Sequence, residues 1–225
     1  MTRTWKRIAL GSDGLLLEMQ PGYACGKKDV AGGVVHLRMN NVTKDGYLDM
    51  TLMRRIPREL AEKQGRFAKD GDVIFVNTNS TELVGKSCLF SGWSEPCAFS
   101  NHLTKLRVNP DKLHPLWLHL CFLRLWHEGY FATHCIEFVG QSAFNKDLLR
   151  SVEIPVPPLA EQRRLVARIE ALTSRVQELR ALNASLVEDA TPHSRRRIQP
   201  HLSRCPDSTF RRSCQAGSPS SGNAP

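Results

Sequence analysis

The sequence predicts an α+β fold, in which one mixed α/β domain is followed by a long helix with coiled-coil spacing. Short apolar runs separated by turn residues fill residues 1–154, as they do in a compact α+β domain. A proline-rich stretch then leads into a segment of helical apolar spacing that contains no Gly or Pro. We therefore predict a domain over residues 1–154, a hinge and helix over 155–189, and a disordered, Arg/Ser/Pro-rich tail over 190–225.

Turn residues divide the first segment into elements. Gly32 and Gly33 precede a short apolar run that ends at the turn-forming pair Asn40 and Asn41. Another turn, at 70–72, precedes an unbroken apolar run that suits a strand buried on both faces. The predicted elements are strands at 34–38, 73–76, 83–90 and 99–108, a loop at 77–81, and a buried helix at 116–126.

Apolar residues in the long helix recur at alternating intervals of four and three, which is the spacing of a coiled-coil seam. A helix of roughly 30 residues would be about 45 Å long and would overhang a domain of this size. We therefore favour a partner helix, while packing of the stripe on its own domain remains the alternative. The predicted seam residues are Leu165, Ile169, Leu172, Val176, Leu179, Asn183 and Leu186.

The chain of 225 residues is basic, with 31 Lys and Arg against 22 Asp and Glu and a formal net charge of +9. No apolar run is long enough for a membrane helix, and the first residues lack the apolar stretch of a secretion signal, so we expect a cytoplasmic protein. Seven cysteines without a Cys-x-x-Cys pair indicate reduced thiols rather than a disulfide framework or a zinc ribbon.

Common catalytic motifs are absent from the sequence. There is no phosphate-binding loop, no Gly-x-Ser-x-Gly elbow, no His-Glu-x-x-His and no dinucleotide-binding glycine pattern. The sequence also lacks the glycine-rich cofactor loop and the Asn-Pro-Pro-aromatic motif that methyl transfer would require. We therefore predict a chain that is not itself an enzyme, with no catalytic or metal-binding residues and no cofactor of its own.

Basic and amide side chains concentrate at the predicted turns. Such side chains bind DNA bases and phosphates, although Asn-rich turns and solvating surface charge explain the same composition equally well. The candidate DNA-binding residues are Arg38, Asn40, Asn41, Thr43, Lys44, Asn77, Thr78, Asn79, Ser80, Lys86, Lys105 and Arg107.

Three stretches of sequence resemble the specificity subunit of Type I restriction-modification systems. They are Val35-His-Leu-Arg-Met-Asn-Asn-Val-Thr-Lys-Asp-Gly, Gly71-Asp-Val-Ile-Phe-Val-Asn-Thr-Asn-Ser-Thr-Glu-Leu-Val-Gly-Lys-Ser and Ile154-Pro-Val-Pro-Pro-Leu-Ala-Glu-Gln-Arg-Arg-Leu-Val-Ala-Arg-Ile-Glu. The second stretch is highly characteristic of that family. The resemblance covers about residues 5–187.

The resemblance implies that residues 1–154 are a target recognition domain that binds half of a bipartite double-stranded DNA site. It also implies that the long helix docks the methyltransferase (modification) subunit, with a restriction subunit joining the complex. S-adenosylmethionine, ATP and Mg²⁺ would then belong to those partner subunits.

The sequence departs from the family pattern because it carries one recognition domain and one helix, where a full specificity subunit has two of each. One expectation is that the chain pairs, either with a second copy of itself as a homodimer or with a second specificity half. The alternative is that the chain is a truncated gene product with a frameshifted tail. A coiled-coil assembly or decoy module that does not read DNA is the competing hypothesis, and an enzyme that uses Cys or His is a third.

Overall fold

The computed structural model describes residues 5–26 and 29–190, with side chains described as far as residue 186. The chain divides into two units, Met1–Glu178 and Leu179–Pro225. In the second unit the described part is the helical segment 179–190. Within these described residues, no helix is both long enough and apolar enough to cross a membrane.

Strands are short and numerous in the described part of the chain. They are β1 (Arg7–Ala9), β2 (Leu16–Pro21), β3 (Val34–Leu37), β4 (Arg55–Ile56), β5 (Phe67–Ala68), β6 (Val73–Val76), β7 (Thr78–Asn79), β8 (Ser87–Leu89), β9 (Cys97–Phe99), β10 (Leu103–Val108), β11 (Ile136–Phe138), β12 (Gln141–Ala143) and β13 (Glu153–Pro155). The helices described are α1 (Arg58–Gln64), α2 (Pro115–His127), α3 (Tyr130–His134), α4 (Lys146–Ser151) and α5 (Leu159–Ala190), and a 3₁₀ turn covers Met39–Asn41.

Strand β6 lies inside a four-stranded antiparallel sheet of order β2-β10-β6-β8, and a second four-stranded sheet has the order β4-β3-β9-β5. All four β6 side chains are fully buried. Val73 and Phe75 belong to one hydrophobic core, whereas Ile74 and Val76 belong to another that includes residues of β3 and β9. Because successive strand residues point to opposite faces, β6 contributes to both cores.

The first core joins the β2-β10-β6-β8 sheet to the helices. The Phe75 ring meets the rings of Phe122, Phe131 and Phe144 edge-on, at centroid distances of 5.3, 5.2 and 5.9 Å. Edge-to-face geometry is favourable for aromatic rings, and it fixes α2 and α3 against the sheet.

Helix α5 begins after two prolines and is anchored by Gln162, which is fully buried. The Gln162 Nε2 donates hydrogen bonds to the carbonyls of Pro157 at 2.9 Å and Lys112 at 3.0 Å. Its Oε1 accepts a hydrogen bond from the His114 backbone N–H at 2.8 Å. The amide group of Gln162 therefore joins the first turn of α5 to the segment before α2.

The predicted α+β class with a long C-terminal helix is confirmed, and so are the strand at 73–76 with both faces buried and the helix around 116–126. The limits of the predicted domains at 154 and 189 stay predictions, and the predicted tail beyond residue 190 lies outside the described residues.

Three local predictions are wrong. The predicted loop at 77–81 contains β7, which pairs with the distant β12. The predicted strand at 83–90 is only β8, because a turn that includes Gly85 at φ +87° precedes it. The predicted strand at 99–108 is two strands in different sheets, β9 and β10, separated by a turn at 100–102.

Candidate nucleic-acid interface

Several strand ends meet at one edge of the domain. Strands β3 and β9 are parallel, so their carboxyl ends lie side by side, and the Ser100 N–H donates to the Leu37 carbonyl at 2.9 Å. At the carboxyl end of β6, the Asn77 N–H donates to the His102 carbonyl at 3.0 Å. We name this surface the recognition edge and define it as segments 38–44, 77–80 and 100–102.

The turn after β3 is shaped by Asn41, which is 1% exposed. Its Oδ1 accepts a hydrogen bond from the Arg38 backbone N–H at 2.9 Å, and its Nδ2 donates to the Asp49 carbonyl at 2.7 Å. These bonds occupy the Asn41 amide inside the protein. The neighbouring Asn40 and Lys44 side chains are exposed and present an amide and a cation to solvent.

Lys86 lies beneath the same turn and is 7% exposed. Its Nζ donates hydrogen bonds to the carbonyl of Val42 and, at 3.4 Å, to that of Met39. Burial, together with the charge of Lys44, lowers the pKa of Lys86. The Lys86 ammonium therefore supports the turn from within, and we remove it from the set of groups proposed to contact DNA.

Thr43 closes the tip of this turn, because its Oγ1 accepts a hydrogen bond from the Tyr47 N–H at 2.9 Å. Thr43 is partly exposed. It has a structural role here and remains a candidate for DNA contact.

Lys105 and Arg107 are held in internal ion pairs. The Lys105 Nζ is 3.0 Å from a carboxylate oxygen of Glu18, and Lys105 is 3% exposed. Arg107 donates two hydrogen bonds of 2.8 Å to the buried Asp72 carboxylate and lies 2.9 Å from Glu18. Both cations are therefore compensated within the sheet, and we also remove them from the proposed DNA contacts.

Asn77 connects β6 to its neighbours. Its Nδ2 donates to the Thr104 Oγ1 at 2.8 Å, and its Oδ1 accepts a hydrogen bond from the Thr78 hydroxyl at 2.9 Å. The Asn79 Oδ1 accepts the Ser80 N–H at 2.8 Å, and Ser80 itself is exposed. Asn77 and Thr78 are engaged internally, whereas the Asn79 amide nitrogen and the Ser80 hydroxyl have no hydrogen-bond partner among the described residues.

The structure adds residues that the sequence reasoning did not single out as site residues. Asn101 is exposed, and His102 and Arg54 are partly exposed, at the same edge. Burial, together with the charges of Arg54 and Arg38, lowers the pKa of His36 to about 4, so this imidazole is neutral at pH 7. The predicted continuous strand at 99–108 includes Asn101 and His102, so the sequence pattern gives no sign that they lie in a turn.

Most of the predicted seam residues of α5 that lie in the first unit are exposed. Leu165 is half-buried and packs against the core of its own domain. Beyond it, Ile169 is 38% exposed, Leu172 is 51% exposed and Val176 is 46% exposed. Within the first unit, packing on the domain therefore covers Leu165 and leaves the later seam residues exposed.

In the second unit, the predicted seam residues Leu179, Asn183 and Leu186 are exposed. Leu182, which the sequence analysis did not include, is 60% exposed and widens the apolar stripe.

A family model for the Type I restriction modification DNA specificity domain matches residues 27–186. Over 95 residues the chain is 32% identical to a Methanocaldococcus jannaschii protein that bears the name MjaX type I restriction enzyme specificity subunit. Over 122 residues it is 24% identical to the type I restriction enzyme StySPI specificity subunit of Salmonella potsdam. These alignments cover 42% and 53% of this chain but only 22% and 26% of the relatives, so the chain spans about a quarter of their length.

Solved structures share the fold. A chain from a structure of complex assembly and conformational transition in the type I R-M system has a TM-score of 0.58 and 22% identity, and covers 84% of this chain and 43% of that one. The HsdS subunit from Thermoanaerobacter tengcongensis has a TM-score of 0.53 and 20% identity, with coverage of 81% and 40%. The S subunit from M. genitalium has a TM-score of 0.55 and 13% identity, with coverage of 80% and 42%.

The internal ion pairs predict that Arg107→Ala lowers the free energy of unfolding by about 3 kcal/mol, because it leaves the buried Asp72 carboxylate without its main partner. The matched control is Arg124→Ala, which breaks an exposed pair with Glu128 and should cost less than about 1 kcal/mol. Urea unfolding measures both variants. Equal losses for the two would contradict the structural role of Arg107.

Proposed function

The chain belongs to the Type I restriction-modification DNA specificity family, and from this premise we propose that it reads one half of a bipartite DNA target and docks the methyltransferase subunit through α5. In this proposal the recognition edge contacts double-stranded DNA. The exposed face of the helix joins the chain to the modification subunit and to a second specificity half, which is either another copy of this chain or a different one.

The recognition edge is the observation that carries the DNA-reading part of the proposal. Three segments that are distant in sequence bring exposed amide, hydroxyl and cationic groups to one edge, above a layer of buried polar groups that hold the turns. Amides pair with base edges, while cations and hydroxyls hold phosphates. The groups proposed to contact DNA are those of Arg38, Asn40, Thr43, Lys44, Asn79, Ser80 and Asn101.

The apolar stripe of α5 supports the docking part of the proposal. Exposed Leu, Ile and Val side chains that recur at helical spacing favour burial against another helix. The partner subunits would then supply the chemistry, with S-adenosylmethionine bound by the modification subunit and ATP and Mg²⁺ by the restriction subunit. The chain itself would choose the site of reaction and take no part in bond making.

The DNA-reading proposal predicts different effects for two exposed residues of the same turn. In the complex of this chain with its modification subunit, Asn40→Ala should reduce discrimination between the target and a scrambled duplex by about tenfold. Lys44→Ala should weaken binding to both duplexes alike and reduce the slope of log affinity against log salt by about one.

Lys63→Ala, an exposed cation on α1, is the matched control and should change neither quantity. Dissociation constants measured by fluorescence anisotropy over a range of salt concentrations decide the outcome. A wild-type complex that binds every duplex equally well would overturn the proposal.

The docking proposal predicts that Val176→Asp prevents co-purification with the modification subunit, because a carboxylate would be buried in an apolar interface. Ala181→Asp adds the same charge at an exposed position outside the predicted seam and should leave co-purification intact. Size-exclusion chromatography with light scattering gives the masses of the complexes. Normal assembly of the Val176→Asp variant would exclude the seam as the interface.

A further inference from the structure

A pocket of about 260 Å³ opens beside the recognition edge. It lies where β3 and β9 end, and none of its lining residues that the structure describes carries a carboxylate. Two of the lining residues are arginines and two are histidines. The side chains with nitrogen donors are those of His36, Arg38, Arg54, Asn101 and His102.

Three buried nitrogens on side chains that line this pocket have no hydrogen-bond partner within the described residues. They are His36 Nε2, Arg38 Nε and His102 Nδ1. A guanidinium nitrogen can only donate, so the Arg38 Nε–H calls for an acceptor. Buried polar atoms without partners are costly and rare, and three of them around one pocket indicate a polar group that the described residues do not supply.

The charge of the pocket wall limits what this group can be. The Arg38 and Arg54 charges both act on the ring of His36, which is itself 2% exposed. The Arg38 guanidinium, with no carboxylate among the described lining residues, attracts an anion, and its hydrogen-bond donors are well suited to phosphate oxygens. A bound anion of this kind would itself compensate the positive charge of the pocket wall.

We propose that this pocket holds one backbone phosphate of the DNA, with Arg38 as its main donor and His36 and His102 beside it. The inference rests on the proposed function and gives Arg38 a different role from its neighbours. A phosphate fixed here would set the position of the duplex against Asn40. The reading of base sequence would be left to the exposed amides.

The test uses the complex of the full chain and its modification subunit with its target duplex. Each phosphate is replaced in turn by an uncharged methylphosphonate, and dissociation constants are measured for the wild type and for Arg38→Gln. At one position the replacement should weaken wild-type binding about tenfold and Arg38→Gln binding less than about twofold, because the interaction is already lost.

Arg38→Gln should also weaken binding to target and scrambled duplexes by the same factor and lower the salt slope by about one. Lys44→Gln removes an equal charge at an exposed position. In this variant, the methylphosphonate at the position coupled to Arg38 should weaken binding as much as it does in the wild type. His102→Leu is the second variant, and it should reduce the effect at that same position, which covers the case in which Arg38→Gln does not fold.

The effects of Arg38→Gln and of the methylphosphonates could instead be additive at every position while binding stays sequence-specific. That result would overturn the proposal of a phosphate pocket and leave the proposed function standing. Absence of any sequence preference in the wild type would instead overturn the proposed function. Titration with inorganic phosphate, at constant ionic strength and without DNA, tests whether the pocket binds free phosphate rather than a DNA phosphate. Binding of this free anion that Arg38→Gln abolishes, combined with additive methylphosphonate effects, would assign the pocket to free phosphate and contradict a DNA ligand.

Discussion

The burial of β6 on both faces is the constraint on which the rest of the domain depends. Its four apolar residues alternate between two cores, so a shift of one residue in register would move each side chain of β6 into the opposite core. The register of β6 fixes where the strand ends and therefore where Asn77 begins. Because Asn77 is hydrogen-bonded to the turn at 100–102, the packing of the cores also sets the shape of the recognition edge.

The recognition edge has an inner and an outer layer of polar groups. Asn41 and Lys86 satisfy backbone carbonyls under the turn, and Asn77 joins two strands. These buried groups rigidify the turns, which reduces the entropy lost when the exposed groups bind a ligand. Within the described part of the chain, the exposed side chains of Asn40 and Lys44 make no comparable internal hydrogen bonds, so these residues can be exchanged without disturbing the cores.

Sequence patterns were sufficient for β6, α2 and α5, because local apolar spacing determines these elements. They were insufficient for β7, since its pairing with β12 joins segments that are more than 60 residues apart. Lys86 and Lys105 look like surface cations in the sequence, and only the tertiary structure shows that they are buried. Leu165 fits the helix seam by spacing, yet it packs on its own domain because α5 starts there.

The most direct measurement of DNA reading by this chain is a map of DNA methylation across the genome of its host, before and after deletion of its gene. A specificity chain predicts the loss of methylation at one bipartite motif, with all other methylated motifs unchanged. An identical set of methylated motifs in the two strains would contradict the role of this chain in selecting a DNA sequence.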